Sequence, residues 1–316
     1  MAELKATRDG YGEALLQLGQ EEPRIVVVDC DLFSSTRTAA FAEAFPDRFF
    51  EMGIAEQDMV STAVGLALSG MIPFANSFAV FLTGRAFDQT RQQIALPGVN
   101  VKLAGSSAGI TQGPDGATHQ SVIDVALMRS LPNMTVIVPS DAEEARLATR
   151  AAAEWEGPVY LRLSRYETPV WRDGGSAFEV GKAEVRRAGR DVSLIACGVM
   201  LGRVLEAAEA LAGERISAEV LNVHTVKPLD AEAVLSSCER TGAAVTVEEH
   251  SIIGGLGSAV AELLAEGAGK HIPLRRLGVA DTFGESGLAD ELLAKHGLTA
   301  EDIAARAREL VGNRAG

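Results

Sequence analysis

Two stretches of this 316-residue chain hold residue types that do chemistry. The first is FFEMGIAEQDMVSTAVGLALSG, residues 49–70, where Glu56 stands near the head of an apolar segment. Gly53 ends a short extended run at 49–52. From Ala55 onward Met59, Val60, Ala63, Val64, Leu66, Ala67 and Leu68 are apolar on nearly every side, which predicts a buried helix. Glu56 falls in its first turn, on the stripe shared with Val60, Ala63 and Ala67. The helix dipole favours an acid there, whereas burial disfavours a carboxylate that has no partner. Glu56 therefore reads either as a cap bonded to local backbone donors or as an acid buried for chemistry.

The second stretch is SSAGITQGPDGATHQ, residues 106–120, a glycine-broken loop that carries Asp115, Thr118 and His119. Loops of this length inside compact domains are usually functional. Asp115 and His119 could face a polar small molecule together, with the imidazole as acid or base. Alternatively, Asp115 closes an Asx turn and His119 caps the helix that follows. The local pattern leaves both readings open.

These stretches sit in an alternating α/β frame. An amphipathic helix is expected over 9–19, with Tyr11, Ala14, Leu15 and Leu18 on one face. RIVVVD (24–29) is a continuous apolar run of the kind found in a parallel sheet covered on both sides. The loop DCDLFSSTRT follows its carboxyl end, where open α/β sheets place ligands. Further strands are expected at 72–77, 101–106, 135–140 and 159–164, with helices near 83–96, 119–130 and 141–154. Five strands alternating with helices predict a doubly wound unit of about 165 residues. Residues 166–190 lack a helical period and read as a linker with a strand of its own near 178–186. A second α/β unit follows, with strands at 192–197, 218–224, 243–248 and 272–279. Its helices are expected near 200–213, 230–240, 256–266 and 300–312. The domains expected are thus 1–168, a linker 169–190, and 191–316.

Composition narrows the function. Hydrophobic residues at 47% and charged residues at 23% describe a soluble globular chain. No apolar run approaches a membrane span, and the N-terminus has no signal-peptide core. A net charge of −14 argues against nucleic-acid binding. The three cysteines, Cys30, Cys197 and Cys238, form no metal or redox spacing, and a reducing cytoplasm is expected. GGLGSAVAE (254–262) follows a strand and opens a helix, yet it lacks a third glycine; tight strand-to-helix packing explains it better than a dinucleotide site. His224 and His250, at the ends of second-unit strands, are expected to be hydrogen-bonded structural groups.

Taken together, the motifs resemble the C-terminal half of a transketolase from end to end. They are ATRDGYGEAL, DCDLFSST, GIAEQDM, FAVFLTGRAFDQ, GPDGATHQ, MRSLPNMTVIVPSDAEE, LRLSR, HTVKPLD and EEHSIIGGLGSAVAE, in family order. The chain looks most like the smaller subunit of a transketolase split into two polypeptides. Deoxyxylulose-phosphate synthase and the beta subunit of pyruvate dehydrogenase share parts of the set, but DGATHQ and LSR favour transketolase. The resemblance implies a thiamine-diphosphate-binding (pyrimidine) doubly wound domain followed by a transketolase C-terminal-type α/β domain. It also implies transfer of a two-carbon ketol unit from a ketose to an aldehyde. A non-catalytic paralogue that kept only the fold is the further alternative, and retention of Glu56, Phe81, Asp115 and His119 argues against it.

The resemblance also implies roles. Glu56 matches the glutamate that hydrogen-bonds the aminopyrimidine ring of thiamine diphosphate and favours its activating tautomer. Phe81 matches the aromatic that stacks on that ring, with Phe78 beside it, Ile54 pressing against the cofactor and Asp31 on the cofactor side. His119 and Asp115 match holders of the ketose carbonyl and hydroxyls. Arg8, Ser35 and Arg165 match groups that bind the far end of the sugar, usually its phosphate, and two arginines suit bidentate oxyanion recognition. Ser107 stands where transketolases usually carry a histidine, and Pro114 where many carry an acid. No GDG turn followed by an asparagine occurs, so no metal ligands are expected here. The magnesium and diphosphate site is expected on an N-terminal partner subunit, in an α2β2 assembly.

Overall fold

The run Ile25–Asp29 forms a strand with all five residues buried, as a continuous apolar run between two helical layers must be. The computed structural model describes residues 4–171 and 178–312. In chain order the strands of the first unit are β1 (Leu4–Ala6), β2 (Ile25–Asp29), β3 (Phe49–Glu51), β4 (Ile72–Phe78), β5 (Lys102–Ser106), β6 (Thr135–Ile137), β7 (Val159–Arg162) and β8 (Glu167–Pro169). Those of the second are β9 (Glu184–Arg187), β10 (Val192–Ala196), β11 (Ala218–Asn222), β12 (Thr225–Lys227), β13 (Ala244–Ser251) and β14 (Leu274–Val279).

The main sheet of the first unit has seven strands, not five, in the order β12-β6-β7-β5-β4-β2-β3. Six run parallel; β12, from the second unit, closes the edge antiparallel to β6. Strand order reverses between β2 and β4, so the loops after them open a crevice at their carboxyl ends. The second sheet, β14-β13-β10-β11-β9, is parallel except for β9. A small antiparallel pair, β1 with β8, ties the start of the first unit to its end. Within the expected linker, β9 begins later than the strand foreseen at 178–186, and residues 172–177 lie outside the described residues.

The core does not stop at the boundary between the units. One apolar cluster runs from Val28, Met59 and Ala63 of the first to Ile195, Leu221 and Leu256 of the second. Beside it Arg162 Nε donates to Asp124 Oδ2 at 2.7 Å, both side chains buried, and Arg162 Nη2 donates to the carbonyl of Glu249 across the boundary at 2.8 Å. A cation this deep is tolerated because its donors are used.

Helices of the first unit differ from the sequence reading. The helix expected over 119–130 is confined to Asp124–Ser130, because the amides of His119 and Gln120 are spent in a turn on the carbonyl of Gly116. The helix Glu56–Leu68 is buried on one face only, through Glu56, Met59, Val60, Ala63 and Val64, while Leu68 is 75% exposed. The glycines of GGLGSAVAE do serve packing. Glu248 accepts from the amides of Leu256 and Gly257, filling the helix N-terminus that a dinucleotide diphosphate would need. His250 is buried, with Nε2 accepting from the amide of Ala126.

Candidate active site

Gly53, with φ of +64°, turns the chain from β3 into the helix that begins at Glu56. Glu56 is 1% exposed. Ser77, next to last in β4, donates its hydroxyl to Glu56 Oε1 at 3.0 Å, and Arg85 Nη1 donates to Oε2 at 2.6 Å. The acid is buried but both of its oxygens are partnered by side chains. It is no backbone cap either, since its oxygens face β4 and Arg85.

Phe78 ends β4, and Phe81 opens a wide π-helical turn, Phe81–Arg85, in place of the regular helix expected from 83. Such turns gather at functional sites because they rotate side chains off the regular helical rows. The two phenyl rings are 15° from parallel with centroids 6.0 Å apart. His119 meets both edge-on, at 5.2 Å from Phe81 and 6.2 Å from Phe78. The Arg85 guanidinium lies 4.7 Å from the centre of the Phe81 ring. Glu56, Ser77, Phe78, Phe81, Arg85 and His119 thus form one constellation at the carboxyl end of β4. A buried acid beside parallel aromatic faces fits a flat heteroaromatic ring with a hydrogen-bonding edge.

A second group lies along the loop after β5. The turn Ile110–Asp115, broken at Gly113, delivers Asp115, which accepts from Gln112 Nε2 and from Arg165 Nη1 at 3.3 Å. His119 Nδ1 is 2.9 Å from the Thr118 hydroxyl. The helix starts only at Asp124, so His119 is not its cap. Arg8, in the first turn of the helix Thr7–Glu21, donates Nη1 to the carbonyl of Ser35 at 3.1 Å, while its Nε is buried without a partner. Burial, with Arg37 and Arg165 adding repulsion, pulls Arg8 below the usual arginine range against the opposing pull of Asp9. Arginines from opposite ends of the domain therefore converge, which suits an oxyanion.

The side chains of Asp31, Ile54 and Ser107 make no hydrogen bond or ion pair with either group among the described residues. Asp31 sits at φ 59° and is exposed, its amide donating to Glu51 Oε1 at 2.7 Å. Ile54 is 77% exposed. Ser107, at φ 55°, is buried with its hydroxyl unpartnered. Sequence reading missed Arg85, Ser77 and Asp29. Buried Asp29 accepts from the Leu32 amide and the Thr36 and Thr38 hydroxyls, shaping the loop that bears Asp31 and Ser35. Burial, opposed by those bonds, lifts its carboxyl to about 6. An apolar strand ending in Asp was the available signal for Asp29. Among the described residues no group of three or more His, Cys, Asp or Glu side chains is arranged to hold a metal, and no helix is long and apolar enough to cross a membrane.

Fold and site together define a tandem α/β class whose first domain gathers a buried acid, two parallel aromatic rings and a histidine at its strand ends. Residues 3–170 match the transketolase pyrimidine-binding domain and residues 181–303 the transketolase C-terminal domain. The chain belongs to the transketolase family, as its motifs implied. It is 47% identical over 303 residues to a 6-deoxy-6-sulfo-D-fructose transketolase subunit, SqwH, of Clostridium sp. (strain MSTE9), covering 96% of this chain and 94% of that one. A solved split gene transketolase, an inactive beta4 tetramer, is 50% identical with a TM-score of 0.91, over 97% of this chain and 98% of that one. The 1-deoxy-D-xylulose-5-phosphate synthase of Heliobacterium modesticaldum (strain ATCC 51547 / Ice1) is 40% identical over 302 residues, 95% of this chain but 46% of that protein.

Proposed function

We propose that this chain is the C-terminal subunit of a two-chain transketolase, moving a two-carbon ketol unit from an oxyanion-bearing ketose to an aldehyde. The observation that carries the reading is the Glu56, Phe78, Phe81 and His119 constellation. Thiamine diphosphate, when bound, would supply the nucleophilic carbon for the transfer. Glu56 would turn its Oε2 from Arg85 to hold a proton against a ring nitrogen, with Ser77 fixing its inner oxygen. Phe81 and Phe78 wall the ring and keep water from it. His119 orients and protonates the sugar carbonyl oxygen, and Asp115 holds a hydroxyl. Arg8 and Arg165, with Ser35 beside them, bind the terminal oxyanion. A phosphate or a sulfonate satisfies the same donors, and the SqwH relative is named for a sulfonated ketose.

A separate N-terminal chain, in an α2β2 assembly, supplies the diphosphate and magnesium ligands, because no GDG motif occurs here. The related tetramer of beta chains alone is described as inactive, in keeping with that division. We divide the chain into a pyrimidine domain (1–168), a linker (169–190) and a C-terminal domain (191–316). Three free, buried cysteines suit a cytoplasmic setting. The test is reconstitution with a chain that carries the missing motif, assayed with ketose phosphates and sulfonates. Ketol transfer only in the mixture is the expected result; no transfer from any ketose overturns the reading.

A further inference from the structure

Three consecutive side chains on β13, Glu248, Glu249 and His250, are buried where its pairing with β14 is interrupted between Val247 and Ser251. Glu248 caps a helix of its own domain. Glu249 instead reaches into the first domain, where Oε1 accepts the amide of Thr111. Thr111 is the second residue of the turn Ile110–Asp115, and Gly109, the residue before the turn, has no side chain with which to cap it. A Cβ at Gly109 would overlap the Glu249 carboxyl, and its φ of +86° is one that glycine adopts without cost. The loop therefore leaves its cap position open, and the other domain fills it.

The base of the loop is closed on itself and pinned to the same strand. The Gly109 amide donates to the carbonyl of Ser121 at 2.9 Å, and the Ser251 amide to that of Val122 at 2.8 Å. Arg162 Nη2 bridges the carbonyls of Ser121 and Glu249 at 3.3 and 2.8 Å. Between these anchors the loop carries Asp115 and His119. We propose that Glu249 is a positioning residue, through which the C-terminal domain sets the conformation of the loop that presents Asp115 and His119 to the sugar. The proposal rests on the transketolase reading for what the loop binds, though not for how the loop is held.

The experiment is hydrogen–deuterium exchange on the full chain, wild type against Glu249→Ala and Glu249→Gln, followed by donor kinetics with the partner chain. Loss of the cap should speed exchange of amides 109–119 by about tenfold or more in the alanine variant and by about threefold in the glutamine variant. Amides of β10 and β11 should be unchanged. In the assembled enzyme the alanine variant should raise KM for the ketose by about tenfold while cofactor affinity holds. If the alanine variant fails to fold, the glutamine variant carries the test by the same loop-confined pattern. Loosening spread over both domains, or a loop unchanged in every variant, overturns the proposal. Inactive wild type with loop-confined exchange would sink the transketolase reading alone.

Discussion

Arg85 holds the outer oxygen of Glu56 at 2.6 Å while its guanidinium lies 4.7 Å from the centre of the Phe81 ring. One side chain thus engages both the acid and the aromatic ring proposed above to meet the pyrimidine. Two measurements separate what each partner contributes.

Glu56→Gln keeps the shape and the bond from Ser77 but cannot hold the same proton. Ketol transfer in the assembled enzyme should fall by about a hundredfold or more, with little change in donor KM. Near wild-type turnover would remove Glu56 from the chemistry.

Arg85→Ala leaves a buried carboxyl with Ser77 as its one hydrogen-bond partner among the described residues. Because Arg85 is itself partly exposed, the loss should be modest, about 1–2 kcal/mol in urea denaturation. The double variant Glu56→Gln with Arg85→Ala should recover most of it. Additive losses would mean the pair is not coupled.

How much of this was legible beforehand depended on the range of the interaction. β2 was readable because a continuous apolar run bounded by turn residues admits few other structures. β12 was not, since three residues carry no period and their role depends on the open edge of a distant sheet. The helix near 119–130 was overextended because Val122, Val125 and Met128 keep a helical spacing across a segment whose first amides bond backward to Gly116. Glu56, Phe81 and His119 emerged from motif order, which records the site without its geometry. Arg85 escaped because an arginine in an apolar stretch reads as a solvated group, and its partner lies 29 positions away on another helix.

Substrate selectivity should follow the arginines. Replacing Arg8 or Arg165 by Ala should raise KM for phosphate- or sulfonate-terminated ketoses by the equivalent of about 1.5–3 kcal/mol, and far less for a small uncharged donor. Equal effects on both donor classes would assign the arginines to structure. Ser107→His adds back a donor type, and an unchanged preference between phosphate and sulfonate would remove that position from the substrate path.

Glu249 gives a pH dependence of fixed sign. Burial lifts its carboxyl to about 7, with Arg162 and the bonds from Thr111 opposing the rise and Asp124 adding to it. The native chain therefore keeps a proton between about 4.5 and about 7 that the unfolded chain releases. Its contribution is whole below the unfolded value and lost as pH rises through the folded one. Relative to wild type, Glu249→Gln should gain up to about 3 kcal/mol in urea stability between about pH 5 and pH 8. Arg162, Asp124, Glu248 and His250 are common to both proteins and largely cancel. A constant difference across that range would show that Glu249 does not titrate there.

The final prediction concerns the face this chain leaves open. Ile54, Leu68 and Leu96 are 77%, 75% and 72% exposed, and Ile54 and Leu68 flank or belong to the helix that Glu56 begins. If the cofactor site is divided between two chains as proposed, these exposed apolar side chains suit a permanent interface with the second chain. Titration of this chain alone with thiamine diphosphate and magnesium should therefore give weak heat or none. After the partner is added, tight binding should appear together with an α2β2 mass in solution. Leu68→Glu should abolish the mixed assembly while leaving the thermal midpoint of the single chain nearly unchanged, because that side chain packs on nothing of its own. Tight, magnesium-dependent binding to the single chain would refute the division of the site between two chains.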